Sequence, residues 1–355
     1  MRILFDIVRA ADVLFFSRPI RALRARGHDV LVCSRQKGIV CDLLDRLSID
    51  HEPVSSATDG KVGAAMELLL RDAAIAATAR DFCPHAMIGF GGVSIAHAGA
   101  VLGIPSIAFQ DTEGAALQAR LTWPAISQIY VPECYRGKVP EAKTHRLAGV
   151  KELSYFHPNA FTPDRSLAIA NGLDPDRQNI FIRLVSWTAS HQLGKKGWTP
   201  KDVKHLVDAY GHRMKLNISS KGPLPEAFQA HAYRGDPETV HHLLGHCALY
   251  IGESATMASE AAILGVRSAY GVNDYRSSIT ELGSFGLVSH PMRDARVDIW
   301  ALAESQLYRS DEKIKKDLQA YLLGKPDWSD VVLKSLAPYA PAQRRAMNPK
   351  VRRAG

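Results

Sequence analysis

One short stretch of this chain, Gly252–Gly265, carries residue types that bind a phosphate. The apolar run Ala248–Ile251 predicts a buried strand, and a helix begins almost directly after it. Ser254 or Thr256 would cap that helix, whose unpaired backbone N–H groups then form an anion site. Glu260, one to two turns further on, would bind a sugar hydroxyl. A diphosphate with a ribose attached fits this arrangement, and so does an ordinary strand–turn–helix unit with a serine cap.

Other predicted loops carry cations or glycines that suit the same kind of ligand. Arg9 follows the first strand, and Lys221 lies in a polar loop after a later strand; each would touch a phosphate or be simply exposed. Gly91 and Gly92 precede a helix, where they let a ligand approach the backbone or let the helix pack on the sheet. Arg183 lies within a predicted buried strand, where a charge requires a partner.

Three residues at predicted strand ends could transfer protons. Asp111 and Glu113 follow the strand that ends at Phe109. One of these two carboxylates would be a general base, and we expect burial near the other acid to raise its pKa. Helix capping by Asp111 is the simpler alternative. His191 follows the first strand of a second series, where it would donate to a phosphate, move a proton, or be a structural histidine.

The apolar pattern predicts how these loops are positioned. Strands and helices alternate from Arg2 to Phe109, and a second alternating series follows a turn-rich segment; its last predicted helices cover 274–284 and 297–323. Such alternation predicts parallel sheets covered on both faces, with ligands at the carboxyl ends of the strands. We therefore predict an α/β fold of two Rossmann-like, doubly wound domains that face a cleft. The predicted divisions are an N-terminal domain over 1–158, a linker over 159–178, a C-terminal domain over 179–325 and a basic tail or helix over 326–355.

Composition narrows the functional class. The chain has 355 residues, a formal net charge of +8 and 46% hydrophobic residues, which is typical of a globular protein. Five scattered cysteines without a Cys-x-x-Cys pair indicate a cytoplasmic protein with reduced thiols. The histidines at 241, 242 and 246 do not share the spacing of a zinc site, so no metal is expected. The basic helix containing Arg18–Arg26 and the basic tail suit an anionic partner, such as a nucleotide diphosphate or an anionic membrane. No nucleic-acid-binding pattern is present.

Several stretches together resemble the bacterial and archaeal domain-of-unknown-function family three-five-four. These stretches are Gln110–Glu113, Lys151–Asn159, Phe161–Pro163, Arg183–His191 and Gly252–Ala262. The resemblance extends over roughly residues 1–330. That family is similar to glycosyltransferases of the GT-B fold and to non-hydrolysing UDP-N-acetylglucosamine 2-epimerases. The resemblance implies a nucleotide-sugar donor, held mainly by the C-terminal domain.

The resemblance also implies roles for individual residues. The residues implied to bind the nucleotide sugar are Ser190, Lys221, Ser254, Thr256, Met257 and Glu260. The implied catalytic residues are Asp111, Glu113 and His191. Further phosphate or acceptor contacts are Arg9, Asp12, Gly91, Gly92 and Arg183. The first loop lacks the histidines of the family pattern, which makes Asp12 the alternative base there.

The expected function is sugar transfer, without a metal or cofactor, from a nucleotide diphosphate sugar to a hydroxyl acceptor. A UDP-sugar is the favoured donor, and the acceptor would be a glycan or a lipid-linked molecule of cell-envelope or extracellular polysaccharide synthesis. The protein would lie in the cytoplasm, with peripheral contact at the inner face of the membrane. The alternatives are a nucleotide-sugar 2-epimerase and a non-catalytic nucleotide-sugar-binding protein. The epimerases carry an aspartate where this chain has Gly91–Val93, which weakens the epimerase alternative.

Overall fold

A computed structural model describes residues 1–58, 60–185, 198–291 and 297–341. It contains two parallel β-sheets, each flanked by helices, so the predicted α/β architecture is confirmed. In the described ranges, no helix is long and apolar enough to cross a membrane.

The N-terminal domain is built on a seven-stranded parallel sheet. Its strands are β1 (Arg2–Ile7), β2 (Asp29–Gln36), β3 (Glu52–Ser56), β4 (Ala86–Phe90), β5 (Ser106–Phe109), β6 (Gln128–Pro132) and β7 (Thr144–Leu147). Its helices are α1 (Ala10–Ala25), α2 (Val40–Arg46), α3 (Gly60–Phe82), α4 (Val93–Leu102) and α5 (Ala116–Thr122). The strand order is β3-β2-β1-β4-β5-β6-β7. This order reverses between β1 and β4, so the loops that follow these two strands diverge and leave a crevice at their carboxyl ends.

The C-terminal domain repeats this design on five strands. Its strands are β8 (Asn179–Leu184), β9 (Lys215–Ser220), β10 (Leu249–Gly252), β11 (Arg267–Tyr270) and β12 (Val288–Ser289). The helices that follow the N-terminal domain are α6 (Arg165–Ala170), α7 (Pro200–Tyr210), α8 (Val240–Leu244), α9 (Ala255–Ile263), α10 (Ser277–Ser284), α11 (Ile299–Leu307), α12 (Asp311–Leu322) and α13 (Trp328–Leu336). The strand order β12-β11-β10-β8-β9 places the reversal between β8 and β10.

The chain crosses between the domains twice. The first crossing follows β7 through Lys151–Phe156 and α6, and the second lies between α12 and α13. After the second crossing, α13 packs on α1 of the N-terminal domain, with Trp328 fully buried against Phe15. One hydrophobic core extends through both crossings and includes Leu153 and Phe156. The two domains therefore share buried contacts beside the cleft.

Three differences from the sequence-based expectations have local causes. The helix predicted over 297–323 is two helices, because Ser310 caps α12 by accepting a hydrogen bond from Lys313 N. The turn-rich segment 159–178 contains α6, which begins where Asp164 accepts bonds from two backbone N–H groups. Strands β6 and β7 extend the first sheet beyond the strand that ends at Phe109, where the predicted strands stopped.

Candidate functional site

A cavity of about 280 Å³ lies between the domains, and we call it the interdomain cavity. The N-terminal domain contributes the first turn of α1 and residues near α2. The C-terminal domain contributes the carboxyl ends of β8 and β9, α8 and the first turns of α9. The cavity thus lies at the point where the strand order of the second sheet reverses, which is where open α/β sheets bind ligands. The structure brings five of the predicted residues to it: Arg183, Ser254, Thr256, Met257 and Glu260.

The turn between β10 and α9 brings the helix N-terminus to this cavity. Gly252 lies beside Arg183 of β8, and a Cβ at Gly252 would come within 2.5 Å of the Arg183 carbonyl oxygen. Only glycine therefore fits at this strand end. Ser254 is the N-cap, and its Oγ accepts from Met257 N at 3.3 Å. The other N–H groups of the first helical turn have no partner within the helix, which leaves positive partial charge at the cavity.

Arg183 adds a full positive charge to the same wall. Its Nη1 donates to Ser219 Oγ of the neighbouring strand β9. Burial lowers the pKa of Arg183, with Tyr250 and Glu260 opposing this effect. Within the described ranges, Arg183 forms no ion pair with a carboxylate. A partly buried, unpaired guanidinium next to a helix N-terminus is an arrangement that an anion would stabilise.

Glu260 lies deeper in the cavity, and its carboxylate is already oriented by two side chains. Tyr155 donates to Glu260 Oε1 at 2.9 Å, and His241 Nε2 lies 3.3 Å from Oε2. Burial and the charge of Glu260 raise the pKa of Tyr155, so its hydroxyl remains protonated as a donor. Tyr155 belongs to the first crossing between the domains. The position of Glu260 therefore depends on the contact between the domains as well as on α9.

Glu253, for which the sequence pattern predicts no role, holds the backbone beside this site. Its carboxylate accepts from Val185 N at 2.7 Å and from Trp198 N at 2.9 Å. These two residues flank the segment 186–197. The predicted residues Ser190 and His191 belong to that segment and lie outside the described residues. Glu253 is 7% exposed, and its hydrogen bonds hold Val185 and Trp198 next to the start of α9.

Further cations face one another across the cleft. The pKa of Lys37, in the loop after β2, is lowered by burial and by the positive charges of Arg35, Lys221 and Arg9. Lys221 follows β9 in the C-terminal domain and is itself exposed. Lys221, which the sequence predicts as a phosphate contact, therefore faces Lys37 of the N-terminal domain, for which the sequence predicts no role.

Arg9 and Asp12 fix the loop after β1. Asp12 Oδ2 accepts from the backbone N–H groups of Val8 and Arg9, and an ion pair of 3.0 Å joins the two side chains. Burial raises the pKa of Asp12 although Arg9 opposes it. The Arg9 guanidinium also lies over the Phe90 ring, 4.9 Å from its centroid. Asp12 is 1% exposed, so its carboxylate positions the loop and is closed to a substrate hydroxyl in this structure.

Asp111 belongs to a buried group of charges that the sequence analysis did not predict. Lys151 Nζ lies 2.7 Å from Asp111 Oδ2 and 2.6 Å from Glu152 Oε1. Burial raises the pKa of Asp111, but Lys151 and Arg9 outweigh burial, so the net pKa is lowered. The expectation that a second acid raises the pKa of Asp111 is therefore wrong, because its neighbours are cations. Burial raises the pKa of Glu152 to about 7, with Lys151 opposing and Asp111 adding to the effect.

Glu113 is directed away from Asp111. It accepts hydrogen bonds from Ser277 Oγ at the start of α10 and from Arg136 N. Ser277 belongs to the C-terminal domain, so Glu113 joins the two domains at a place apart from the interdomain cavity. The structure does not bring Asp111 and Glu113 together as a pair of carboxylates.

A second cavity, of about 260 Å³, lies wholly within the N-terminal domain, and we call it the N-domain cavity. It occupies the crevice between the carboxyl ends of β1 and β4 and includes Val8, Phe90 and Gly92. Gly91 has φ +79°, and its missing side chain leaves space for Gln118. Gly92, with φ +60°, is the N-cap of α4. The two predicted glycines therefore meet a backbone requirement, and Gly92 also lines a cavity.

No group of three or more His, Cys, Asp or Glu side chains in the described ranges is placed to hold a metal ion. Two larger cavities, of about 510 and 470 Å³, lie elsewhere. One is at the amino ends of the C-terminal strands and the other is between α7 and α11. Because α/β proteins bind ligands at the carboxyl ends of strands, the two cavities near the cleft remain the better candidates.

Comparisons with known proteins bear on the family of the N-terminal domain and on the fold. Residues 1–156 match the family described as "Protein of unknown function (DUF354)", which confirms over the N-terminal domain the resemblance expected from the sequence. A comparison with curated protein sequences gives no match.

Solved structures match nearly the whole chain. UDP-GlcNAc 2-epimerase from Neisseria meningitidis, bound to UDP-GlcNAc, is similar with a TM-score of 0.64 and 13% identity over 95% of this chain and 100% of that one. A putative UDP-N-acetylglucosamine 2-epimerase from Listeria monocytogenes gives a TM-score of 0.68 and 12% identity, covering 96% of each chain. The glycosyltransferase SnogD from Streptomyces nogalater gives 0.62 and 15% identity over 96% of this chain and 99% of that one. The fold is therefore that of the GT-B enzymes, with two Rossmann-like domains.

Proposed function

We propose that this protein is a glycosyltransferase of the GT-B type that moves a sugar from a nucleotide diphosphate sugar to a hydroxyl acceptor. The observation that carries this proposal is Arg183, which forms no ion pair in the part of the chain that the structure describes, beside the N-terminus of α9 in the interdomain cavity. Glu260 lies on the same wall. These groups match the chemistry of a diphosphate next to a ribose.

In the proposed complex the donor diphosphate accepts hydrogen bonds from the first N–H groups of α9, from Thr256 Oγ1 and from Arg183. Glu260 accepts from the ribose hydroxyls. The relatives support this assignment, because structures of such enzymes contain UDP-GlcNAc or thymidine diphosphate. We favour a UDP-sugar, and the transfer needs no bound metal because the cations of the protein balance the leaving diphosphate.

The chemical step is a substitution at the anomeric carbon of the donor sugar. The acceptor hydroxyl oxygen forms a bond to that carbon, and the bond from the carbon to the diphosphate oxygen breaks. The acceptor proton passes to a carboxylate, and we assign this role to Asp111. Asp111 is ionised at neutral pH because Lys151 and Arg9 lower its pKa, and its side chain remains 11% exposed. Glu113 is engaged by Ser277, which makes it the weaker candidate.

The N-domain cavity favours transfer over epimerisation. An epimerase converts one substrate, so it needs one compartment, whereas a transferase must also bind an acceptor. The loop after β1 contributes Val8 to the N-domain cavity and Ala10 to the interdomain cavity, so two compartments lie on either side of one loop. We extend the proposal to a glycan or lipid-linked acceptor of cell-envelope or extracellular polysaccharide synthesis at the cytoplasmic face of the membrane.

A thermal-shift screen against UDP, GDP, CDP, dTDP, ADP and their common sugar conjugates tests donor binding. A ligand at 100 times its dissociation constant stabilises the native state by about 2.7 kcal/mol, which is readily measured as a rise in Tm. We expect one nucleotide to raise the Tm, and Arg183→Gln to reduce the underlying stabilisation from about 2.7 to about 0.4–1.4 kcal/mol. Arg177→Gln is the matched control, because Arg177 is paired with Asp174 on the far side of the domain. No shift with any nucleotide would overturn the proposal.

Incubation with the identified donor then separates the enzyme classes. A transferase releases the nucleoside diphosphate in proportion to added hydroxyl acceptor. Formation of a sugar isomer without acceptor would identify an epimerase instead. Binding without either reaction, unchanged in Asp111→Asn, would identify a non-catalytic binding protein.

A further inference from the structure

The first crossing between the domains carries side chains that reach both parts of the proposed reaction site. Its residues Lys151–Tyr155, which we call the crossing segment, are all buried, with exposed fractions between 0% and 8%. Lysine and glutamate are almost never fully buried unless they are paired. The partners of Lys151 and Glu152 therefore indicate what the crossing segment does.

Lys151 directs its charge at Asp111. Its Nζ lies 2.7 Å from Asp111 Oδ2 and 2.6 Å from Glu152 Oε1. The other oxygen of Glu152, Oε2, is buried and has no hydrogen-bond partner in the part of the chain that the structure describes. Burial raises the pKa of Asp111, but Lys151 and, after it, Arg9 of the loop after β1 outweigh burial. Lys151 is therefore the main group that keeps the Asp111 carboxylate ionised and in place at the end of β5.

Tyr155, four residues further along, reaches into the C-terminal domain. Its hydroxyl donates to Glu260 Oε1 at 2.9 Å, and His241 Nε2 lies 3.3 Å from the other oxygen of that carboxylate. Glu260 is 3% exposed and lines the interdomain cavity, so these two partners fix its direction there. Each carboxylate oxygen has a further lone pair, which can accept a bond from a hydroxyl of a ligand.

The backbone between these two ends is held firmly. Ser154 Oγ donates to the carbonyl oxygen of Phe15 in α1, and Arg18 Nη1 of the same helix donates to the Ser154 carbonyl oxygen at 2.7 Å. Leu153 is fully buried in the core that extends through both crossings. These contacts fix the crossing segment to α1, whose first turn lines the interdomain cavity. The two ends of the segment therefore keep a set separation.

We propose that the crossing segment fixes the base relative to the donor, with Lys151 as the positioning residue for Asp111 and Tyr155 as the positioning residue for Glu260. This inference rests on the proposed function, in which Asp111 takes the acceptor proton and Glu260 binds the ribose. Attack by the acceptor hydroxyl requires the base and the donor at a set separation, and a misplacement of about 1 Å can lower the rate about 100-fold. The segment that joins the domains thereby also sets the geometry of the reaction.

The titration of Asp111 tests the Lys151 end. Carbon-13 labelling of the aspartate carboxyl groups makes their protonation visible by NMR, and Asp111→Asn identifies the signal of Asp111. In the natural chain we expect Asp111 to remain ionised from pH 4.5 to 8. Lys151→Met should make it take up a proton within that range, because the carboxylate loses its closest cation. Lys151→Arg keeps the charge and should restore the natural behaviour.

Two further variants control this test. Lys143→Met is the matched control, because Lys143 donates to backbone carbonyls of the N-terminal domain, and Asp111 should stay ionised in it. The double variant Lys151→Met/Glu152→Gln leaves one buried carboxylate in place of two, so it is expected to fold even where the single variant does not. Asp111 should take up a proton in the double variant as well. An Asp111 that stays ionised without Lys151 would overturn the proposal.

Selectivity for the ribose tests the Tyr155 end. The probes are UDP and 2′,3′-dideoxy-UDP, which differ only in the two ribose hydroxyls, and calorimetric titration gives both dissociation constants. We expect the natural chain to bind UDP at least ten times more tightly, and Tyr155→Phe to reduce this ratio at least threefold. Tyr130→Phe should keep the ratio, since the Tyr130 hydroxyl donates to Gln128 within β6. An unchanged ratio in Tyr155→Phe would contradict the proposal.

The failure of this inference can be told from the failure of the proposed function. Absence of any nucleotide-induced rise in Tm contradicts the transferase, whereas the Asp111 titration needs no ligand and still tests Lys151. A rise in Tm together with an unchanged ratio in Tyr155→Phe contradicts the crossing segment and leaves the transferase in place. An effect at only one end would show that the segment does not serve both sites, and the inference would then be wrong.

Discussion

The two cavities beside the cleft differ in how their charges are compensated. In the interdomain cavity, Arg183 has a serine hydroxyl and no carboxylate as a hydrogen-bonding partner among the described residues, and it shares the wall with a helix N-terminus. In the N-domain cavity, Arg71 and Arg35 are each paired with a carboxylate. Both cavities lie where the strand order of a sheet reverses. The fold therefore provides two equivalent positions, and the local charges make them different.

This difference distinguishes cations that stabilise the fold from cations that are available to bind a ligand. A buried cation that is paired stabilises the folded chain, and its removal leaves a buried anion behind. A buried cation without an anionic partner does not stabilise the folded chain, because its burial has a free-energy cost that no ion pair offsets. In the proposed function, the diphosphate of the donor supplies the missing negative charge.

The largest expected effect is on stability, in the N-domain cavity. Arg71→Leu should lower the free energy of unfolding by about 3–5 kcal/mol, because it leaves the Asp6 carboxylate buried without its partner. Urea denaturation measures the change. The double variant Asp6→Leu/Arg71→Leu should recover much of the loss. If the single variant costs less than about 1 kcal/mol, the two cavities are not distinguished by charge pairing.

The corresponding change in the interdomain cavity should leave stability nearly unchanged and remove binding. Arg183→Leu should weaken nucleotide diphosphate binding by about 10- to 100-fold, because a charge-assisted hydrogen bond to an anion contributes about 1.5–3 kcal/mol. Calorimetric titration with the nucleotide that raises the Tm most measures this. A large drop in Tm without ligand would contradict the comparison, since it would show that Arg183 stabilises the fold.

A smaller effect concerns pH and the charges that lie between the cavities. Glu152 has its pKa raised from 4.5 to about 7, so the folded chain binds its proton more tightly than the unfolded chain does. Its contribution to stability is therefore largest below pH 4.5 and falls as the pH rises to about 7. Glu152→Gln should remove this loss, so its Tm relative to the natural chain should increase across that range.

Calorimetry at pH 4.5, 6 and 8 checks the effect of Glu152. Asp111 does not contribute to the pH dependence between pH 4.5 and 8. Its pKa is lowered, so its contribution to the free energy of unfolding is lost only as the pH falls below 3.8. A Tm difference that is the same at all three pH values would show that Glu152 does not titrate in this range.

The smallest expected effect is the response to salt. Raising the ionic strength from about 0.1 to 1 M shortens the Debye length from about 10 to 3 Å. Nucleotide binding at Arg183 should weaken several-fold. The cost of Arg71→Leu in free energy of unfolding should change little, because salt screens a buried pair such as Asp6–Arg71 much less. Equal salt dependence of the two quantities would indicate that charge pairing does not separate the two cavities.

Much of the interdomain cavity could be predicted from the sequence because its residues follow strands. Ser254 lies two positions and Glu260 eight positions after the end of β10 at Gly252, and Arg183 lies in β8 beside it. Since the carboxyl ends of parallel strands meet at one edge, short-range patterns are enough to bring such residues together. Ser190 and His191 stay predictions, as does every assigned role.

The partners of buried charges could not be predicted in this way. Lys151 pairs with Asp111 across 40 positions of sequence, and Arg71 pairs with Asp6 across 65. Nothing in the local sequence specifies such pairs, and they reversed the expected pKa shift of Asp111. Strand β6 had a signal in the sequence, the apolar run Ile129–Val131.

The two crossings between the domains have a mechanical consequence. They lie side by side, because a Cβ at Gly149 would come within 2.9 Å of the Lys325 side chain. Two adjacent crossings form a hinge between the domains. Such a hinge permits one domain to rotate away from the other but resists twisting and sliding. Such a rotation separates α1 from α9, so it changes the size of the interdomain cavity. The N-domain cavity lies within one domain, so it would keep its shape while the interdomain cavity opens and closes.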